Sequence, residues 1–185
     1  MSSAVPVYPD LLNLISSPTT REQGFRLLVQ RYGKAIYWHI RRIVVGKDDA
    51  EDVLQDTFVK VLGGLAEFRG DEAALIPWIY RIATRESLMQ LRRKTHLFRS
   101  IDSLGDTLAR TLEAENGADG TEELLLQKAL LTLTVTQRVV FNLRYYDDMS
   151  YEQMAQVTDK NVGTLKTHYH YAVERVRNYL KENAK

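Results

Sequence analysis

Apolar residues recur at spacings of three and four along most of this chain, which is the period of an amphipathic α-helix. The first run extends from Arg21 to Val45, and Gly46 follows as a C-terminal stop. A second run covers residues 47–64 and begins with Asp48 and Asp49, which suit the capped, positive end of a helix. Its apolar stripe comprises Val53, Leu54, Phe58, Val61 and Leu62.

The third run extends from Pro77 to a basic end at Lys94, with the proline in an early turn. The segment 65–76 before it has the pattern of a short connection. Trp78 and Tyr80 lie on this amphipathic helix, where aromatic residues more often belong to a core than to a stacking surface. Three such helices are enough for a small packed domain.

The helical pattern weakens between residues 98 and 120, which end in the breaker cluster NGADG. Two further helices are predicted over 121–133 and 134–148, the second with Thr134 or Thr136 as its N-cap. The prediction is therefore an all-α protein with two small helical domains, 1–97 and 121–185, joined by a flexible acidic linker, 98–120.

A helix-turn-helix is predicted near the C-terminus. Ser150 suits the cap of a short helix, residues 158–160 (TDK) make a tight turn, and Asn161 caps the last helix. One face of that helix is apolar and expected in the core: Val162, Leu165, Tyr169, Ala172, Val173, Val176 and Leu180. The other face carries groups that can donate to phosphates and base edges, namely Gly163, Thr164, Lys166, Thr167, His168, His170 and Tyr171. The same pattern also occurs in helical bundles that touch no DNA.

Charge is distributed unevenly, although the net charge is only +1. Basic and acidic residues number 14 and 11 in residues 1–97, 2 and 7 in 98–127, and 9 and 6 in 128–185. An acidic segment between basic ends can compete with a polyanion for them, or can simply be a solvated linker. No cysteine is present, which excludes disulfides and thiolate chemistry and agrees with a reducing compartment. We expect a cytoplasmic protein without a leader or membrane insertion.

Catalytic motifs are missing from the sequence. His168 and His170 are two positions apart on a helix and point away from one another, while His39 and His96 have no obvious partner. No glycine-rich phosphate loop or nucleophile motif occurs. We therefore expect no enzyme activity, no cofactor and no metal site.

Four segments carry a resemblance to a known family: DAEDVLQDTFVKV, FRGDEAALIPWIYRIAT with LRRK behind it, TQRVVFNLRYYDDMSYEQMAQV, and NVGTLKTHYHYAVERVR. In their order and separation, these segments resemble the extracytoplasmic-function (ECF) group of bacterial sigma factors. The resemblance covers nearly all of the chain from Phe25 to Leu180. The resemblance implies sigma domains 2 and 4 without a folded third domain. It implies binding to core RNA polymerase and promoter DNA, with an anti-sigma factor as a further partner.

The resemblance also implies roles for single residues. It assigns Asp52, Gln55, Asp56 and Phe58 to the contact with core polymerase, whereas the charge pattern of this stretch taken alone favours a solvated acidic face. The residues assigned to the minus-ten element, captured as opened single strand, are Phe68, Arg69, Arg81, Arg85, Arg92 and Arg93. The residues assigned to the minus-thirty-five element are Asn161, Gly163, Thr164, Lys166, Thr167, His170 and Tyr171.

The sequence departs from the common family pattern in three places: at Arg85, at the Asp159-Lys160 turn, and at His168 and Tyr171, where a basic residue is frequent. Arg85 stands where asparagine is frequent, and Asp159-Lys160 occupies a turn that often begins with glycine; aspartate can adopt the left-handed conformation at modest cost. Three functions are consistent with these features: a sigma factor acting through core polymerase, a stand-alone helix-turn-helix regulator, and a helical adaptor that does not bind DNA. The regulator usually needs a dimerisation element, which is not evident, and the adaptor leaves the exposed Lys, His and Tyr cluster unexplained.

Overall fold

Residues 11–98, 101–116 and 122–183 are described by the structure, a computed structural model, and within them the chain forms helices and turns without a strand. The helices are α1 Leu11–Ser16, α2 Arg21–Val44, α3 Lys47–Gly64, α4 Glu72–Phe98, α5 Ile101–Asn116, α6 Glu122–Leu131, α7 Val135–Tyr145, α8 Tyr151–Thr158 and α9 Val162–Asn183. The predicted all-α class is confirmed. We call α1–α4 the N-terminal unit and α6–α9 the C-terminal unit.

The N-terminal unit is built on the mutual packing of α2, α3 and α4. Its buried residues follow the period predicted from sequence, for example Ile36, Ile40 and Ile79, each with no exposed surface. The short helix α1, which the sequence pattern did not predict, packs against α2 at Gly24. A Cβ at Gly24 would lie 3.0 Å from the backbone nitrogen of Ile15, so the glycine permits this close approach.

The start of α3 differs from the prediction. The N-cap is Gly46, and Asp48 and Asp49 lie in the first turn without capping the helix through their side chains. Asp49 instead accepts a hydrogen bond from Gln90 at 2.8 Å and forms an ion pair with Lys94, both on α4. Asp49 therefore helps to tie α3 to α4.

The start of α4 also differs, because the helix begins at Glu72 rather than beside Pro77. The Asp71 carboxylate accepts a hydrogen bond from the backbone nitrogen of Ala74 at 2.8 Å and so caps the helix earlier than predicted. Pro77 lies within the helix, one turn after its start. Much of the segment predicted as a connection is thus helical, because the aspartate cap outweighs the proline signal.

Helix α5 occupies most of the predicted linker. Leu108 and Leu112, four positions apart, are buried, and Glu115 forms an ion pair with Arg41 and accepts a 2.9 Å hydrogen bond from the backbone nitrogen of Lys47. The weak periodicity of this segment did not predict a helix over residues 101–116, but two buried leucines and this anchor suffice to dock one. Residues 99–100 of the linker, and residues 117–120 of the breaker cluster, lie outside the described residues.

The C-terminal unit is bounded by well-defined caps. Thr134, rather than Thr136, caps α7 in a capping box with Gln137, and Ser150 caps α8 in a capping box with Gln153. A small cluster of buried residues joins α6, α7 and α9: Ala129, Leu130, Leu133, Phe141, Ala172 and Val176. The predicted pair of helices followed by a helix-turn-helix is confirmed.

The two units pack against one another, α4 on α8 and α2 on α7. A single apolar cluster runs from Ile40 and Ile79 of the N-terminal unit to Val140, Met154 and Leu165 of the C-terminal unit. The units therefore share a continuous core in this arrangement.

Candidate nucleic-acid interface

The helix-turn-helix is held by local polar contacts. Asp159 ends α8 in the left-handed conformation, with φ 57° and ψ 26°, as the sequence analysis allowed. The Asn161 side chain then accepts a hydrogen bond from the backbone nitrogen of Thr164 at 2.8 Å, which confirms its predicted capping role. Leu165 is fully buried, so the orientation of α9 about its own axis is fixed.

The opposite side of α9 presents its polar residues to solvent. Lys166, Thr167, His170 and Tyr171 are all exposed, and Lys166 lies 5.6 Å from the ring centre of Tyr151. Thr167 donates a 3.1 Å hydrogen bond to the carbonyl of Gly163. This side offers an ammonium group, a phenol and an imidazole within two helical turns, at a helix end with a positive dipole. Such a surface suits phosphates and base edges.

One face of α3 combines acidic, amide and apolar side chains. Asp52, Gln55 and Asp56 are exposed, and the same face continues through Val59 and Leu62, which are 65% and 43% exposed. Leu62 was expected in the apolar stripe of the helix, but the structure places it at the surface. Exposed apolar residues beside acidic ones are typical of a surface that contacts another protein. The spacing 52, 55, 59 and 62 was the signal in the sequence that would have revealed this face.

Phe58 does not join that face. It is buried, and its ring packs edge-on against Phe25, with 6.1 Å between the ring centres. Its contribution to the site is to fix α3 against α2. Phe58 therefore supports the exposed face of α3 from beneath.

The loop before α4 is ordered by aromatic packing. The rings of Phe68 and Trp78 lie 5.1 Å apart, and both are half-buried against the core, as expected for Trp78. Arg69 is exposed, and its guanidinium donates to the carbonyl oxygens of Ala66 and Phe68 at 2.9 and 3.0 Å. Arg69 thus folds back over the loop and stabilises it through these two hydrogen bonds.

The arginines of α4 fall into two groups. Arg92 and Arg93 near the C-terminal end are exposed. Arg81 and Arg85, one turn apart, both donate to one carboxylate oxygen of Asp159, at 2.7 and 3.0 Å. The turn of the helix-turn-helix therefore contacts two of the residues expected to read the minus-ten element.

A second aspartate, Asp147 at the end of α7, lies almost buried among residues of the N-terminal unit, with 5% of its side chain exposed. Its carboxylate contacts His39 Nδ1 at 2.9 Å, accepts a hydrogen bond from the Tyr80 hydroxyl at 3.3 Å, and lies 3.9 Å from Arg42. The other ring nitrogen of His39 contacts the Thr84 hydroxyl at 2.9 Å. Burial, reinforced by the Asp147 charge, raises the pKa of Tyr80 well above its ordinary value, so the phenol stays protonated and donates.

Sequence reasoning missed this network and left His39 without a partner. The participating residues lie far apart in the chain, and helical periodicity carries no information about which polar groups meet between helices. Asp147 and Asp159 together connect the C-terminal unit to five side chains of the N-terminal unit: His39, Arg42, Tyr80, Arg81 and Arg85.

Two kinds of site are absent from the described residues. Within 11–98, 101–116 and 122–183, no group of three or more histidine, aspartate or glutamate residues is arranged to hold a metal ion. No helix in that part of the chain is long and apolar enough to cross a membrane.

Family models match both units. Residues 28–96 match the model for Sigma-70 region 2, and residues 123–176 match the model for Sigma-70, region 4. The matched ranges coincide with the helices that form the candidate surfaces on α3, α4 and α9.

Curated relatives extend the similarity across both units and over most of the chain. The chain is 31% identical over 176 residues to the ECF RNA polymerase sigma-E factor of Escherichia coli (strain K12), covering 86% of this chain and 88% of that protein. It is 26% identical over 171 residues to the ECF RNA polymerase sigma factor SigW of Bacillus subtilis (strain 168), covering 87% of this chain and 91% of that protein.

Solved structures share the fold. CnrH in complex with the cytosolic domain of CnrY matches with a TM-score of 0.67 and 23% identity, over 94% of this chain and 97% of that chain. The sigma factor RpoE in complex with the anti-sigma factor NepR from Bartonella quintana matches with a TM-score of 0.66 and 21% identity, over 87% of this chain and 99% of that chain.

Proposed function

The chain belongs to the extracytoplasmic-function group of the sigma-70 family, and from that premise we propose which of its residues carry each part of a sigma factor's task. A sigma factor binds core RNA polymerase and directs promoter-specific initiation by recognising the minus-ten and minus-thirty-five elements, and this is the function of the chain. The proposed units are residues 1–97 for polymerase binding and the minus-ten element, and 121–185 for the minus-thirty-five element. Residues 98–120 connect them, largely through α5.

The proposed polymerase contact is the face of α3 formed by Asp52, Gln55 and Asp56, extended by Val59 and Leu62. Support comes from the exposure of all five side chains and from the mixture of charge and apolar surface. Phe58 does not lie on this face but holds α3 in place by packing against Phe25 of α2. The polymerase carries out the chemistry of transcription, and we propose that this chain contributes no catalytic group.

The proposed minus-ten surface is formed by the positive track Arg81, Arg85, Arg92 and Arg93 on α4, with Phe68 and Arg69 in the adjoining loop. Guanidinium groups suit both the phosphates and the bases of an opened strand. The proposed minus-thirty-five surface is the N-terminal part of α9. There Asn161, Gly163 and Thr164 lie towards phosphates, while Lys166, Thr167, His170 and Tyr171 lie towards bases.

We further propose that the packed arrangement of the two units is a resting form in which minus-ten reading is blocked. The observation that carries this proposal is the pair of bonds from Arg81 and Arg85 to Asp159. Two arginines bound to a carboxylate must give up that contact before they can bind a DNA strand, and the helix-turn-helix itself lies against α4. Core polymerase would separate the units when it binds α3.

An anti-sigma factor is a proposed further partner. Both structural neighbours described above were solved in complexes, one of them with a protein named as an anti-sigma factor. A protein that favours the packed arrangement would keep Arg81 and Arg85 engaged with Asp159.

The resting form is tested by binding of a labelled random-sequence single-stranded 12-mer to the free chain, measured by fluorescence anisotropy. The double variant Asp147→Ala with Asp159→Ala should bind the strand more tightly than the wild type. The gain should disappear when Arg81→Ala and Arg85→Ala are added. Asp148→Asn, next to Asp147 but with a side chain 97% exposed, removes a charge while keeping a residue that tolerates the left-handed backbone there (φ 49°), and as the matched control it should behave like the wild type.

Two outcomes would contradict the resting form. One is a double variant that binds the strand no better than the wild type. The other is a gain in binding that survives removal of both arginines, since the released surface would then not be the one on α4.

A further inference from the structure

A cavity of about 740 Å³ opens where α2, α5, α6 and α7 meet, away from the candidate DNA-facing side of α9. Its walls include Trp38, Arg42, Leu112, Arg138 and Tyr146. The volume falls in the range of small-molecule sites in proteins. Both units contribute to the walls, so a molecule bound here would touch each of them.

Arg138 on α7 is the unusual member of these walls. Only 3% of the residue is exposed, and its Nε has no hydrogen-bond partner within the described parts of the chain. One turn later, the buried amide of Asn142 also leaves both of its polar atoms without a partner. Burial lowers the pKa of the Arg138 guanidinium to about 10, which still leaves it charged at neutral pH.

The other arginines of the cavity are already engaged. Arg41 forms an ion pair with Glu115, and Arg42 lies 3.9 Å from an Asp147 oxygen and 3.9 Å from the ring centre of Tyr146. Arg138 has no acidic partner among the described residues. A buried cation without a counter-charge is costly, and buried charges in proteins are normally paired. The Arg138 guanidinium therefore retains the capacity to pair with an anion at this wall of the cavity.

The remaining walls define the rest of the ligand. Trp38 is 45% exposed, and the ring of Tyr37 packs edge-on against it at 5.4 Å. These rings, together with Leu112, offer an apolar platform for a flat molecule. Asp48 and Glu123 also line the cavity and oppose the entry of a polyanion. A single carboxylate matches the two-pronged geometry of a guanidinium.

We propose that this cavity is a binding site for a small aromatic carboxylate, with its carboxylate on Arg138 and its ring system against Trp38. Such a ligand is distinct from DNA and polymerase. By contacting α2 and α7 at once, it stabilises the packed arrangement of the two units. The proposal rests on the cavity and the unpaired arginine and does not depend on the residue roles proposed above.

The experiment is isothermal titration calorimetry of the full chain with 2-naphthoate, and with 2-naphthamide as the uncharged probe of the same shape. We expect saturable one-to-one binding of 2-naphthoate and at least tenfold weaker binding of 2-naphthamide. Arg138→Met should weaken 2-naphthoate binding at least tenfold. Arg177→Met, which removes an exposed arginine of α9, is the matched control and should leave binding unchanged.

A second measurement, the melting temperature, distinguishes a ligand-binding role of Arg138 from a purely structural one. Without ligand, Arg138→Met should melt at the same temperature as the wild type or higher, because methionine removes a buried unpaired charge. If that variant does not fold, Trp38→Ala, at a half-exposed position, should weaken 2-naphthoate binding instead. The proposal is overturned if 2-naphthoate gives no saturable binding. It is equally overturned if the amide binds as well, or if folded Arg138→Met binds as the wild type does.

Discussion

Replacing Asp147 by alanine is the sharpest perturbation of the packing between the two units. Its carboxylate is the common partner of His39 and Tyr80, and both of those residues are buried. Alanine would leave the Nδ1 of His39 and the hydroxyl of Tyr80 without their partner. The expected result is a weaker association of the units, with each unit retaining its helices.

The magnitude follows from burial. A buried hydrogen bond to a charged group contributes about 1.5–3 kcal/mol, and the longer bond from Tyr80 adds on the order of 1 kcal/mol. The total of roughly 2–4 kcal/mol shifts the ratio of packed to separated units by roughly 30- to 1000-fold. Asp159, with 54% of its side chain exposed, holds Arg81 and Arg85 at the surface, where each ion pair contributes only about 0–1 kcal/mol. Asp159→Ala should therefore shift the ratio far less.

The assay uses the absence of native cysteines, which lets two introduced cysteines be labelled specifically. Lys34→Cys on α2 and Arg177→Cys on α9 are exposed positions in the two units. Energy transfer between the dyes, followed through a urea titration, reports separation of the units, and circular dichroism reports loss of helix. The Asp147→Ala midpoint should move to lower urea, by an amount that linear extrapolation converts to free energy.

Two results would refute this reasoning. An Asp147→Ala midpoint equal to that of the wild type would mean that the apolar contacts alone hold the units together. A shift for Asp159→Ala as large as that for Asp147→Ala would mean that burial does not determine how much each aspartate contributes to the packing of the two units.

Three further predictions address the individual surfaces. Leu165→Ala should lower the free energy of unfolding of the C-terminal unit by about 2–5 kcal/mol, because the side chain is fully buried. Lys166→Ala with His170→Ala should change that free energy by no more than about 0.5 kcal/mol. Urea denaturation measures both changes, and equal losses would contradict the assigned orientation of α9. Asp52→Ala with Gln55→Ala should weaken binding to core polymerase in a pull-down while the melting temperature stays near that of the wild type; unchanged retention would make this face of α3 a solvated one. Gly24→Ala should destabilise the N-terminal unit by about 1–3 kcal/mol, because the new methyl group would lie against the backbone of α1, which cannot move away as a side chain can. Gly33→Ala should not destabilise the unit, because its nearest contact is a Val29 methyl at 3.6 Å. Equal melting temperatures for the two variants would argue against the close approach of α1.

Local signals in the sequence predicted much of this fold. Ser150 and Asn161 cap their helices as predicted, and Asp159 adopts the left-handed conformation. These features depend on neighbours within four residues, so the local sequence determines them. Helical periodicity likewise placed Leu165 in the core, because a helix with one apolar face has one way to bury it.

The features that sequence reasoning missed depend on distant partners. Helix α5 lies in an acidic segment, and its docking depends on Arg41, more than 70 positions before Glu115. Leu62 has the period of a core residue, yet the packing of α3 leaves it exposed. The contacts of Asp147 with His39, Tyr80 and Arg42 arise only when the units pack together. Periodicity identifies which face of a helix is buried, but the identity of the buried neighbour is a tertiary property.

The central claim, that this chain is a sigma factor acting through core polymerase, is tested most directly by run-off transcription with purified cognate core enzyme on fragments of the source genome. Adding the wild-type chain should produce new, discrete transcripts. The Lys166→Ala, His170→Ala variant should lose them at promoters that depend on the minus-thirty-five element, although it still binds core. Absence of any new transcript with cognate core would contradict the claim, as would footprints on duplex DNA that the chain alone produces and core leaves unchanged.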